Sequence, residues 1–266
     1  MTPSVLHVAR YRFQGAVYFG RLAGHACLRL AGPPWETLAE AGARDPLSRV
    51  ELLAPTAPSK IVCVGLNYRA HIAESVTGVV AGTGDGAPSE PLLFLKPPSA
   101  VIGTRQAIRY PRGVTRLDPE AELGVVIGRR AHKVPEARAI EHVAGLICAN
   151  DVSARNYQRQ DGQWTRAKGF DTFAPLGPWI AIGLDPSGLT VECRVNGELR
   201  QRGSTADLLF PVPFLIHYIS HIMTLEPGDV IATGTPAGVA PVVVGDRIEV
   251  EVEGVGVLEN PVETSD

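Results

Sequence analysis

Three carboxylates have neighbours that make them chemically suggestive: Glu120 and Glu122 in the run Asp118-Pro-Glu-Ala-Glu-Leu-Gly-Val-Val-Ile-Gly128, and Asp151 at the end of Ile147-Cys-Ala-Asn-Asp151. Alternate residues of a strand project from one face, so Glu120 and Glu122 can converge on one point while Ala121 faces away. Asp151 closes the apolar run Leu146–Ala149, which reads as a buried strand, and can enter the same pocket from a neighbouring strand. Three hard oxygen ligands with no His or Cys among them suit Mg²⁺, Mn²⁺ or Ca²⁺. Spacing alone also fits two solvated acids on an edge strand. The apolar strands that abut all three weigh against that, because unpaired charge is costly there.

Three further groups could serve the same pocket. His71 and Glu74, three residues apart in Gly65-Leu-Asn-Tyr-Arg-Ala-His-Ile-Ala-Glu74, share a face if the segment is helical, so Glu74 could orient the imidazole and raise its basicity. A surface pair is the plainer alternative. Lys168, one of only four lysines, lies in Arg166-Ala-Lys-Gly-Phe-Asp-Thr-Phe173 and suits either an anion-stabilising role or an exposed loop. Gly234-Thr-Pro-Ala-Gly238 follows the apolar run Val230–Thr233. Its amides and the Thr235 hydroxyl could hold a carboxylate, or the segment could be a tight turn.

The elements that must hold these groups are mostly strands. Gly 28 and Pro 22 in 266 residues suit many short strands joined by turns better than a helical bundle. The length suits one large domain, or one domain with a small appendage. Short β-like runs (Val5–Phe13, Ala16–Leu22, His25–Leu30) followed by a polar stretch and Ala54-Pro-Thr-Ala-Pro-Ser59 mark a small N-terminal β domain over 1–56 and a larger domain over 57–266 that holds the candidate groups. Buried strands are expected at Ile61–Val64, Ala121–Ile127 and Gly145–Ala149, and further strands at Val230–Thr233, Arg247–Val252 and Gly256–Leu258. Asn196-Gly197 between Leu189–Arg194 and Glu198–Arg202 signals a hairpin. Leu208–Leu225 lacks charged residues, but its prolines, histidines and i, i+3, i+4 apolar spacing point to a core-packed helix, not a membrane span.

Composition narrows the functions. The net charge of −3, with both signs scattered, presents no basic face for nucleic acid. No Gly-rich phosphate loop sits between a strand and a helix. Cys27, Cys63, Cys148 and Cys193 are far apart and read as buried thiols in a reducing cytoplasm. The opening residues hold no apolar segment of about 7–15 residues, so no signal peptide is expected.

Taken together and in order, the segments IVCVGLNYRAH, PLLFLKPPSA, DPEAELGVVIG, CANDVSARNYQ, RAKGFDTFAPLGPWI, VNGELRQ, LEPGDVIATGTPAGV and GVGVLENPV resemble the fumarylacetoacetate hydrolase family over Lys60 to Val262. The resemblance implies an α+β, predominantly β fold, a mixed β-sandwich roll, in a homodimer. It places a divalent cation on Glu120, Glu122 and Asp151, a catalytic dyad on His71 and Glu74 with Lys168 also in the catalytic set, and substrate contacts on Arg155, Gln158 and Thr235. Members act on 2-oxo acids, many from aromatic ring cleavage, through a cation-stabilised enolate.

The RAKGFDTFAPLGP segment and the length are most similar to the branch that isomerises 2-hydroxyhepta-2,4-diene-1,7-dioate. Acylpyruvate or fumarylpyruvate hydrolysis and oxaloacetate-type decarboxylation are the alternatives. A sugar-acid dehydratase and a non-catalytic metal-bound β module are readings of other classes. Asn156, Arg69 and a long Thr77–Pro91 segment depart from the family pattern, the last two where substrate enters. The glycines and small side chains of that segment predict that His71 through about Pro91 is a lid that carries the dyad and orders only over bound substrate.

Overall fold

The computed structural model describes residues 5–74 and 87–265. The chain opens with β1 (Leu6–Phe13), β2 (Ala16–Ala23), β3 (Ala26–Leu30) and β4 (Glu40–Pro46). The first three follow the expected apolar runs to within about a residue at each end, the usual boundary uncertainty. β4 corrects the reading of residues 40–46 as an irregular polar stretch. It is the outermost strand and pairs with β3, a position where polar side chains and a terminal proline are tolerated.

Next come β5 (Ile61–Gly65), the short helix α1 (Arg69–Glu74), β6 (Leu92–Lys96), β7 (Ala121–Ile127) and β8 (Val143–Asn150). Two small helices, α2 (Arg155–Asp161) and α3 (Thr165–Lys168), lead into β9 (Ala174–Ile182). β10 (Thr190–Val195) and β11 (Glu198–Ser204) form the expected hairpin, with Asn196 and Gly197 at φ +54° and +83°, as its turn requires. Helix α4 (Val212–Ile222), β12 (Val230–Ala232), β13 (Arg247–Val252) and β14 (Gly256–Thr264) complete the fold.

The larger sheet runs β4-β3-β2-β1-β9-β8-β7-β12-β5-β6, and β12 and β5 are parallel neighbours within it. The second sheet runs β11-β10-β13-β14 and ends on Ile108–Tyr110. β1 pairs antiparallel with β9, Leu6 opposite Ile182 and Val8 opposite Ile180, so the N-terminal strands continue the sheet that carries the acids. At the following linker, buried Asp229 accepts from the Ser59 amide and hydroxyl and pairs with Lys60.

All seven residues of β7 are buried, because the strand is covered on both faces. Leu123, Val125 and Ile127 pack with β8 against Val191, Val250 and Leu258 of the second sheet. Val126 packs the other way, with Ile61, Cys63, Ile147 and Ile180. Each fully buried aliphatic side chain contributes about 1.5–3 kcal/mol, so β7 is anchored from both sides. Glu122 and Gly124 share the Val126 face by alternation, and the rigid centre of the sheet therefore fixes where Glu122 points. Helix α4 buries Val212, Leu215, Ile216 and Ile219, as its spacing predicts, but starts only after Pro211. Among the described residues no helix is long and apolar enough to cross a membrane.

Candidate active site

β7 and β8 pair antiparallel with Ala121 opposite Asn150 and Glu122 opposite Ala149, so Asp151 emerges beside Glu120 and donates its amide to the Glu120 carbonyl at 2.9 Å. Glu120 lies one residue before β7, where the Asn150 side chain holds its amide at 3.0 Å. Glu120, Glu122 and Asp151 are all buried, and each offers an oxygen within 4.8 Å of the others. β7 lies inside the sheet between β8 and β12, so the edge-strand alternative falls away.

Such a cluster needs cations. Lys168 Nζ donates to Glu120 Oε2 at 2.7 Å and to Asp151 Oδ2 at 2.5 Å. It is 2% exposed, which excludes a surface-loop lysine. Arg155 Nη2 donates to Glu120 Oε1 at 2.5 Å, its Nε to buried Asp118 at 2.8 Å, and its Nη1 to Gln158 Oε1 at 2.8 Å. Burial alone would raise the Glu120 carboxyl, but Arg155, Lys168 and His71 hold it well below the usual carboxylate range. Glu122 goes the other way: burial, Asp151 and Glu120 push it well up, and Gly234 N–H, at 2.9 Å, is its one hydrogen-bond donor among the described residues. Burial lowers Lys168, yet Asp151 and Glu120 outweigh it and raise its pKa.

Lys96 is a buried cation of this cluster that sequence reasoning missed. Its Nζ donates to the carbonyls of Val152, Lys168 and Phe173 at 3.0, 2.8 and 2.7 Å, and lies 2.7 Å from Asp151 Oδ1. Four oxygens surround it, more than the two N–H donors of a neutral amine could serve, so this geometry selects the ammonium form, although burial lowers its pKa. It ties the backbone next to Asp151 to the backbone of Lys168. The available signal was a lysine closing the otherwise apolar run Leu92-Leu-Phe-Leu-Lys96.

His71, on α1, lines the same cavity, and burial lowers its pKa against the opposing pull of Glu120 and Glu74. Glu74 Oε2 also accepts from Gly238 N–H at 2.6 Å, which ties α1 to the loop after β12. The loop amides expected to hold a substrate carboxylate therefore hold protein carboxylates: Gly234 holds Glu122 and Gly238 holds Glu74. Gly234 has φ +104°, and a Cβ there would come 2.8 Å from Asn67 Cβ, so a side chain is excluded. The Thr235 hydroxyl donates to Ala121 O at 2.9 Å and accepts from Gln201 at 2.8 Å, so its proton is committed while the residue forms part of the wall.

The triad, His71, Lys168, Arg155, Gln158 and Thr235 line a cavity of about 590 Å³ whose apolar wall includes Leu92, Phe94 and Trp164, whereas Glu74 and Lys96 do not line it. Phe94 and Trp164 meet edge to face at 5.2 Å. Of the expected lid from His71 to about Pro91, residues 75–86 lie outside the described residues, and with them most of the Gly-rich segment.

Removing one member of a buried ion cluster leaves the others uncompensated, at a cost of about 3–5 kcal/mol. Lys168→Met therefore lowers stability to urea by about that amount in cation-free protein. An unchanged urea midpoint without cation would contradict the role given to Lys168.

Residues 60–263 match the family profile described as fumarylacetoacetate (FAA) hydrolase C-terminal, and residues 7–55 match one described as Rv2993c-like, N-terminal. Protein Rv2993c of Mycobacterium tuberculosis is 46% identical over 236 residues, covering 88% of this chain and 86% of that protein. The structure of 5-carboxymethyl-2-hydroxymuconate delta-isomerase from Mycobacterium smegmatis superposes with a TM-score of 0.89 at 43% identity, over 97% of this chain and 100% of that one. Maleylpyruvate hydrolase from Sphingobium sp. SYK-6, in complex with manganese(II) and pyruvate, superposes with a TM-score of 0.79 at 31% identity, over 98% and 100% of the two chains.

Proposed function

Because the chain belongs to the fumarylacetoacetate hydrolase family over residues 60–263, we propose that it is a divalent-cation-dependent enzyme of 2-oxo (enol) acids, and that it isomerises 2-hydroxyhepta-2,4-diene-1,7-dioate. The observation that carries this reading is the buried triad Glu120, Glu122 and Asp151, bridged by Lys168 and lining one cavity with His71. The triad suits Mg²⁺ or Mn²⁺: its donors are hard oxygens, and Glu122 has no cation of its own among the described residues. A manganese ion and pyruvate in the complex of the maleylpyruvate hydrolase relative support the choice of a divalent cation and of the substrate class. The bound cation would supply Lewis acidity, stabilising negative charge on the oxygens of the substrate.

The chain's own residues would do the rest. Lys168 uses two of its three N–H donors on Glu120 and Asp151, and the third is available to an anionic substrate oxygen. His71, kept neutral by burial, takes a proton on its unprotonated ring nitrogen and returns it elsewhere along the substrate, which is a tautomerisation. Glu74 holds α1 on the Gly238 loop and, by its charge, favours the protonated imidazole in the intermediate step. Phe94 and Trp164 exclude water and pack against a conjugated chain. The four cysteines, all buried and free, suit a reducing cytoplasm.

The likeness to maleylpyruvate hydrolase favours a second reading, in which His71 activates water and a C–C bond is hydrolysed. A panel of 2-oxo acids assayed with Mg²⁺ or Mn²⁺ separates the two. Isomerisation of the heptadienedioate without release of pyruvate supports the first reading, pyruvate release from acylpyruvates supports the second, and no turnover of any member contradicts both.

A further inference from the structure

Two cationic side chains of the cavity are already committed to acids: Lys168 to Glu120 and Asp151, and Arg155 to Glu120 and Asp118. Arg159 is different. It lines the cavity, is exposed, and among the described residues makes no ion pair. A cation that both lines a cavity and faces solvent stands at the rim. Its planar fork suits a carboxylate better than any other common anion of this size except phosphate.

Its place on α2 sets a distance. Arg155, Gln158 and Arg159 stand at i, i+3 and i+4, on one face of the helix. With a rise of about 1.5 Å per residue, Arg159 is about 6 Å farther along the axis than Arg155, whose guanidinium touches Glu120. One guanidinium therefore stands beside the triad, held by Asp118, Gln158 and Glu120, and a second stands a helical turn away with no ion pair among the described residues. The wall of Leu92, Phe94 and Trp164 offers apolar surface to a carbon chain lying in the same cavity.

We propose that Arg159 binds a second carboxylate at the far end of the substrate, so that the site selects long 2-oxo diacids over 2-oxo acids with an uncharged tail. With about 1.3 Å of extended chain per C–C bond, a separation of about 6 Å spans four to five bonds, so a diacid of five or six carbons just reaches it and one of seven carbons, about 8 Å from end to end, reaches it with slack. A four-carbon diacid is too short to reach both ends. The inference rests on the 2-oxo acid reading of the triad and adds the residue that measures the tail.

Calorimetric titration of the Mn²⁺-loaded protein tests it without relying on turnover. The probes are 2-oxoheptanedioate against 2-oxoheptanoate, and oxaloacetate against 2-oxobutanoate. Charge-assisted hydrogen bonding at Arg159 is expected to make 2-oxoheptanedioate bind about tenfold or more tightly than 2-oxoheptanoate, with a smaller ratio for the four-carbon pair. Arg159→Met brings the seven-carbon ratio to about one, and Arg159→Lys keeps part of it. A ratio near one in the unaltered protein, or one unchanged in Arg159→Met, overturns the inference and leaves the 2-oxo acid reading standing. Failure of all four acids to bind overturns that reading, and the inference with it.

Discussion

Protein stripped of divalent cations loses 2-oxo acid turnover by at least about 10³-fold and regains it with Mg²⁺ or Mn²⁺, because a Lewis acid supplies several kcal/mol of charge stabilisation. Glu122→Gln behaves like the stripped protein even with cation present. The reason lies in how the three acids are neutralised. Glu120 and Asp151 each touch Lys168, and further cations reach Glu120 through Arg155 and Asp151 through Lys96. Glu122 accepts only the Gly234 amide among the described residues, and burial beside two acids pushes its carboxyl up. It is the acid whose charge most needs an external cation, so the amide substitution removes the ligand that contributes most. Folding stays intact, because Gln keeps an oxygen to accept the Gly234 hydrogen bond. Cation binding also stabilises the fold, by about 2.7 kcal/mol at a free concentration of 100 times Kd, and Glu122→Gln should lose that thermal shift as well. Full activity after chelation would contradict the assignment of the triad.

His71→Ala lowers kcat by about 10²–10⁴-fold, the usual contribution of a positioned acid or base. Cation affinity should change little, since His71 is not one of the three ligands. The pH profile carries the independent check. A general base acts in its neutral form, and burial lowers the His71 pKa from the ordinary 6.5. The neutral form therefore persists below pH 6.5, and activity falls only as the pH drops through that lowered value. Glu74→Gln removes a charge that favours the protonated ring, so it moves this limb to still lower pH. A limb at or above 6.5, or one that survives in His71→Ala, would show that another group carries the proton.

How far these residues could be read without coordinates depended on how local their signals were. β7 was legible residue for residue, because a strand buried on both faces is a continuous apolar run broken only by the chemistry at its end. The triad followed from alternation along β7 and from the acid that closes β8. Asn196-Gly197 announced its hairpin, and α4 its buried face. Lys96 stayed silent because the three carbonyls it binds belong to residues 152, 168 and 173, which only the folded chain brings together. The same limit applies to Gly234 and Gly238, whose amides were open to any carboxylate until the fold supplied Glu122 and Glu74. β4 was missed for the opposite reason: an outer strand has little to bury, so its side chains carry almost no pattern.

The pairing of β1 with β9 has a consequence for anyone who trims this protein. Cutting the chain back to residue 60, where the family profile begins, would uncover the backbone edge of β9 along Ile180–Ile182. An open row of amides and carbonyls on a twisted apolar sheet is a template for another chain. Such a fragment would retain every residue of the acidic cluster and still tend to precipitate, for a reason unrelated to chemistry. The first four strands act as a hem on the sheet, and a shortened or swapped version of this enzyme needs an equivalent selvedge sewn in their place.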